Sequence, residues 1–419
     1  MKRGSLATAF ALVLCGAAAA NASAATTRAV DDDGMATPKN CNAATPASPT
    51  IQGAVAASSS GDTIVVCPGT YVEQVTIPAG KDRLTLVSSS RRQAIIKAPP
   101  TSNATYTRFR PDLVRVEGAK DASFVQFTIT GPLADDQFCN EGLNSAVHIL
   151  GGGSANLLDN RITKARANSP ALLGCQNGFG VQIGRRFEGD TGTGRLFGNE
   201  IDDYQKGGIY VDNAGSTLIA SGNVVRGPDL SAQPAGLPLA APNGVQISRG
   251  SDAYFDHNAV LDNVFPGVKD NLGNEIPGLE AGQASGVIVF NNSGEDGSEG
   301  DVSVSDNLVK NNDTNVALFN RDKAVIDDNT LLDAPFYDGL YADVESENNR
   351  FTDNAASGNA EHDCHDDSNG SGTAGTANLW KNNTGETENR PGLCKKKRGG
   401  HDGDDDGHDG HGHHHGRMR

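Results

Sequence analysis

Four residues after most of a recurring set of asparagines stands a residue able to hold a proton or a cation. Counted from Asn160, Asn199, Asn223, Asn258, Asn307, Asn329 and Asn349, that position reads Lys164, Asp203, Gly227, Asp262, Asn311, Asp333 and Asp353. Repeats that stack would set these side chains in a row about 4.8 Å apart, close enough for carboxylates to share a proton or bind Ca²⁺. Asp202, Asp203 and Asp262 are therefore the candidate acid–base residues, with His257 beside Asp256 as a further candidate base. Tyr204, Arg226, Lys310 and Asp333 are the candidates to orient a substrate. The same row has a plain structural reading, because Asp and Asn start turns. His148, inside Ala146-Val-His-Ile149, reads as a packing residue of a strand.

A second group of potential ligands lies at the C-terminus. His401, His408, His411, His413, His414 and His415 alternate with aspartates and glycines. Imidazole and carboxylate together suit a transition metal such as Zn²⁺, Ni²⁺ or Cu²⁺. Asp402-x-Asp404-x-Asp406-Gly407 matches the start of an EF-hand loop, but the twelfth position is His413 and not Glu, which argues against a specific Ca²⁺ loop there. Residues 395–419 contain almost no apolar side chain and are expected to be a disordered tail.

The elements that must position these groups follow from the repeat. The asparagines are spaced by 20 to 49 residues, and most are followed two positions on by an inward apolar residue: Ile162, Ile201, Val225, Val260, Val309, Leu331 and Phe351. A second strand signal precedes most of them: Gly180-Val-Gln-Ile183, Gly208-Ile-Tyr-Val211, Gly244-Val-Gln-Ile247 and Gly286-Val-Ile-Val289. Short alternating strands at a base period of 20 or so residues predict a solenoid whose core exists only between stacked coils. The asparagine belongs at an inward turn, where its amide bonds the coils above and below. Long insertions at 131–146, 165–179, 226–243 and 263–285 fall on one edge, after the asparagine strand; such grouping builds a binding face or is a set of tolerated excursions. A helix starting after Ser48-Pro49, with Ser48 as N-cap, is expected to cover the open first coil.

Met1-Lys-Arg3, an apolar run from Leu6 to Ala20 and Ala22-Ser-Ala24 read as a signal peptide over 1–24, and Leu14 before Cys15 is too bulky for a lipidation site. Residues 25–47 read as a flexible leader and 48–394 as the folded domain. No other stretch is long and apolar enough to span a membrane. The chain carries a net charge of −17; loss of the leader removes two positive charges and no negative ones, leaving −19. Such a surface excludes nucleic acid as a partner. Export implies an oxidising compartment, so Cys41, Cys67, Cys139, Cys175, Cys364 and Cys394 are expected in disulfides, nearest neighbours joined in that order.

Ile51-Gln-Gly-Ala-Val55, Gly61-Asp-Thr-Ile-Val-Val-Cys-Pro-Gly-Thr-Tyr71 and the two repeat signals together resemble the pectin-lyase-like superfamily, in particular its NosD-like and carbohydrate-binding/sugar-hydrolase repeat branch. The resemblance covers roughly residues 48–385. It implies an all-β, right-handed parallel β-helix with a short N-terminal capping helix, exported or periplasmic, and a polysaccharide or cell-surface glycan as partner. It does not imply one activity. Polygalacturonase-like enzymes need an Asp-Asp and a Gly-His-Gly; Asp202-Asp203 is present, but the Gly-His-Gly is Gly410-His411-Gly412 in the tail. Signatures of the methylesterase-like, pectate-lyase-like and alginate-epimerase-like families are missing, although Glu361-His-Asp-Cys-His-Asp-Asp367 is loosely similar to the last. The expectation is carbohydrate binding without catalysis and with no required cofactor. The alternatives are a polysaccharide lyase or glycoside hydrolase on the loop-lined face, and a periplasmic metal-accessory protein using the tail.

Overall fold

The computed structural model describes residues 24–100, 111–133, 139, 142–230, 239–270, 272–291 and 299–396. Within them the chain winds as a right-handed parallel β-helix, three strands to a coil. One coil runs Thr217–Ser221, Val224–Arg226 and Asn243–Ser248. Each strand pairs in parallel with its equivalent one coil away, so three sheets of twelve, ten and ten strands wrap one core. We call them the first, third and second sheet in the order of that coil's strands: first (twelve), third (short strands after the asparagines), second (strands of the Gly-Val type).

The third sheet shows how the repeat folds. Ile162, Ile201, Val225, Val260, Val309, Leu331 and Ala356 lie in register and are buried, each of the first six a side chain worth about 1.5–3 kcal/mol on leaving water. Before them stand Asn160, Asn199, Asn223, Asn258, Asn307, Asn329, Asn354 and Asn383, all buried. From Asn199 onward each Oδ1 accepts twice from the preceding coil: Asn199 Oδ1 takes the Asn160 backbone N–H and Nδ2–H, both at 3.0 Å. Its own Nδ2 donates to Leu157 O and to Asn223 Oδ1, so the buried amide has no orphan group.

The expected membership changes at one rung. Asn329 pairs with Asn354, and Asn349 belongs to a separate two-rung ladder with Asn378. Phe351 accordingly sits in the first sheet, stacked on Trp380 at 4.1 Å. Asp353 thus precedes a ladder asparagine instead of standing four beyond one. The row four beyond becomes Lys164, Asp203, Gly227, Asp262, Asn311, Asp333 and Gly358. Its members except Gly227 have φ between +51° and +72°, and the position before each ladder asparagine, including His257 and Asp353, is left-handed as well. Two left-handed corners flank each of these short strands except Val224–Arg226, and Asp, Asn and Gly are the residues that adopt them most cheaply. Turn geometry alone therefore accounts for the row.

Two boundaries also move. The helix Ile51–Ala57 is N-capped by Thr50, which accepts from Gly53 N–H, and not by Ser48. Glu73 accepts the Ile51 and Gln52 amides from the next coil and finishes the cap. Residues 25–47 are no loose leader: Thr27–Val30 is the edge strand of the first sheet beside Thr63–Val66, and Cys41 bonds Cys67. The strand reaches back over the first coil and buries Val30, which gives it the core contact that its polar neighbours lack. Cys139–Cys175 and Cys364–Cys394 complete the expected pairing. The signal segment up to residue 23 and the tail histidines His401 to His415 lie outside the described residues. No helix among the described residues is long and apolar enough to cross a membrane.

Candidate functional site

The inserted loops pack against one another. Ala167, Leu173, Leu239, Phe265, Val268 and Ala284, drawn from three of them, form a small apolar cluster separate from the main core. Gln205 ties the first of these loops to its coil, accepting the Ala167 amide and donating to Leu172 O and Cys175 O. Excursions tolerated singly would not build a shared core, so the loops form one continuous wall. Clefts border it: one of about 540 Å³ lined by Arg226, Asp262 and Asn311, and the two described next.

The larger of these two, about 780 Å³, lies along the third sheet and contains half of the acid–base and orienting residues expected from sequence. Asp202, Asp203 and Arg226 line it, with Arg91, Arg92, Arg161 and Arg166. Every arginine faces a carboxylate: Arg91 and Arg92 hold Asp159, Arg161 holds Asp202 at 3.2 Å and Arg166 holds Asp203 at 3.0 Å. Arg226 pairs with Asp262. Asp202 also accepts from Thr163. Burial raises the Asp203 carboxyl above the ordinary Asp range, and the Arg166 guanidinium only partly opposes it. Asp203 is thus the carboxyl of this cleft suited to carry a proton.

Other candidates stand elsewhere or turn inward. Tyr204 is fully buried and its hydroxyl donates to Asn263 at 2.6 Å, at the start of a second asparagine ladder through Asn312; its ring is core and cannot orient a substrate. Asp203 and Asp262 are separated in the row by Gly227, and Asp262 instead accepts from Asn311 at 2.8 Å. Lys310 pairs with Asp333 at 3.1 Å. Among the described residues no three carboxylates of the row meet as ligands for one ion. His257 is exposed at a corner and bonds Asp256 at 2.9 Å, away from both clefts. His148 is buried on the second sheet, its Nδ1 2.9 Å from Asp112, in a network with Ser145 and Asn144.

The second cleft, about 500 Å³, was not visible by counting from the asparagines. It lies on the outer face of the second sheet and is lined by Phe319, Tyr337, Tyr341, Asp338, His365 and Asp367. Phe319 and Tyr337 are each about two-fifths exposed, among the few aromatic rings that reach solvent. Phe319 and Tyr341 lie 5.4 Å apart between ring centres, and Tyr341 meets His365 edge-on at 5.0 Å. Gly282, at φ +92°, lets the neighbouring loop press on Tyr337; a Cβ there would come within 2.7 Å of the ring. His365 is bracketed by Asp338 at Nδ1 (3.1 Å) and Asp367 at Nε2 (3.0 Å), and those two carboxylates overcome its burial and raise it to about 9. Tyr341 Oη donates weakly to Asp367 at 3.4 Å, and burial with that charge pushes the phenol up to about 12. The sequence signal was the third position of the Gly-Val-x-Ile strands: Gln182, Tyr210, Gln246 and Ile288 continue in register through Ala317 to Tyr341 and His365.

No protein-family model and no curated protein matches the chain. Among solved structures it is similar to XylC in complex with xylose (14% identity, 80% of this chain and 70% of that one, TM-score 0.48). It is also similar to the pectate lyase Pel9A (14%, 87% and 78%, TM-score 0.39). A third is the catalytic unit of a GH87 alpha-1,3-glucanase from Streptomyces thermodiastaticus (12%, 81% and 65%, TM-score 0.42). No residue role is carried over from any of them.

Proposed function

We propose that this chain is an exported carbohydrate-binding β-helix protein that takes a polysaccharide or cell-surface glycan in the aromatic cleft. One observation carries the reading: in a chain with few aromatics, Phe319, Tyr337 and Tyr341 gather on one face beside Asp367 and Glu361. Sugar rings present apolar C–H faces and a rim of hydroxyls, which such rings and carboxylates match. Three disulfides and the N-terminal leader pattern support export. The test is binding of the full chain to a panel of neutral and uronate-rich polysaccharides by affinity electrophoresis and calorimetry. Binding that weakens in Tyr337→Ala and Tyr341→Ala supports it; a panel that shows no binding, or binding unchanged in both variants, overturns it.

A catalytic reading is favoured by a different observation, the raised Asp203 carboxyl beside Asp202 in the arginine-lined cleft. In that reading Asp203 protonates a leaving oxygen and the chain is a polysaccharide lyase or glycoside hydrolase. New reducing ends or unsaturated uronide that disappear in Asp203→Asn would establish it. The tail histidines leave a third role open to test, metal capture by residues 401–415.

A further inference from the structure

We propose that Asp338, His362 and His365 form a binding site for a divalent transition ion of the zinc type, built into the wall of the aromatic cleft. The inference goes beyond the carbohydrate reading and does not depend on it. Two imidazoles and one carboxylate are the donor set that such ions prefer, whereas Ca²⁺ and Mg²⁺ favour oxygen alone.

The geometry fits the donor chemistry. The ligand atoms of the three residues all lie within 4.8 Å of one another. Asp338 turns one oxygen to each ring, Oδ2 to His365 Nδ1 at 3.1 Å and Oδ1 to His362 Nδ1 at 3.4 Å. A tetrahedral ion with bonds of about 2.0–2.1 Å needs ligands about 3.3 Å apart. His362 Nδ1 is buried and makes no hydrogen bond, so a ring nitrogen is aimed at the carboxylate without being satisfied by it. The remaining His365 nitrogen, Nε2, lies 3.0 Å from Asp367 Oδ1. That is the outer carboxylate which fixes the tautomer and orientation of a metal-binding histidine. Asp338 Oδ1 accepts the His362 backbone N–H at 3.0 Å, and the disulfided Cys364 stands between the two histidines, so the ligands are held before any ion arrives. The fourth position faces the cleft, where Glu361, water or an oxygen of a bound ligand can take it. The other grouping of ligand types among the described residues, Asp31 with Cys41 and Cys67, is closed to metal because both sulfurs are in a disulfide.

The test must separate this site from the histidine tail, so it uses the full chain with His401, His408, His411, His413, His414 and His415 all replaced by asparagine. Calorimetry with zinc chloride near neutral pH should show one equivalent bound by that chain, and none with calcium chloride. Adding His362→Ala or Asp338→Asn should abolish the binding. Adding Asp367→Asn, a near-isosteric change at a half-exposed position, should weaken it about tenfold to a hundredfold. Circular dichroism in chelator checks that each variant keeps its β-structure; should the first two fail to fold, the Asp367→Asn result decides. Absence of stoichiometric zinc binding in the tail-substituted chain, or binding indifferent to Asp367→Asn, overturns the proposal and leaves the cluster an ion pair.

Discussion

The two clefts are cut into the same solenoid and differ in what the coils offer. Along the third sheet the exposed positions are short, cornered by left-handed turns and filled with charge, so arginines and carboxylates neutralise one another across coils. On the second sheet the strands reach six residues, and a straight outward row brings Tyr341 beside His365 and near Phe319. The charged cleft is thereby tied up in its own ion pairs, while the aromatic cleft leaves ring faces open to a ligand. Size and exposed aromatic surface point to different clefts; the larger has no exposed ring among its lining residues.

Four changes test this contrast. The largest effect is expected from Asn258→Leu, which leaves the Asn223 N–H and Nδ2 without their acceptor and removes donors to Ala220 O and Asn307. Each stranded buried group costs about 1–3 kcal/mol, so chemical denaturation should show a loss of about 3 kcal/mol or more. Both clefts should suffer, because the ladder serves both. Next, Tyr341→Ala should lower affinity for a neutral polysaccharide about tenfold, from lost ring contact, with Asp203→Asn as a silent control for that polymer. If the pattern reverses, the clefts exchange roles. A smaller effect is expected from Arg166→Gln: a few-fold loss for uronate polymers at low salt, vanishing at high salt, and none for neutral ones. Should neutral polymers be affected equally, Arg166 acts through the loop and not through charge.

The smallest effect concerns pH. Asp313 is buried, accepts the Phe265 and Ala284 amides that hold the loop beside the aromatic cleft, and is raised by burial to about 7. A carboxyl raised in the folded state binds its proton more tightly there than in the unfolded chain. Its contribution to stability is therefore complete below about pH 4 and fades as pH rises through 7. Melting curves should show wild type losing stability between about pH 4 and 7, and Asp313→Asn should flatten that slope. An unchanged slope would mean that the loop is held by other groups.

Much of the scaffold could be read from residue types, because stacking imposes a period. Asn160 to Asn329 were assignable since a buried amide needs a partner at the same place in every coil, and nearest-neighbour disulfides follow when each coil touches only the next. The ruler failed where two asparagines compete: Asn349 and Asn354 are five apart, and only tertiary pairing shows which continues the ladder. Tyr204 looked available because it follows two aspartates, yet the corner at Asp203 turns its ring inward. The aromatic cleft was legible in principle. Its residues occupy the outward place of the Gly-Val-x-Ile strands, but Ala317, Tyr341 and His365 lack the Gly-Val signature, so the row could not be followed to its end.

The Cys364–Cys394 bond has a consequence for the order in which this molecule comes apart. A stack of coils touching only neighbours unravels from its tips inward, like a coil of rope losing turns. The arginine-lined cleft draws on coils between residues 91 and 240, and the aromatic cleft on coils between 282 and 367, close to the C-terminal tip. Reduction of that single crosslink would loosen the last turns first. The chain would lose its aromatic surface while the remainder was still wound, so that cleft would fail before the fold.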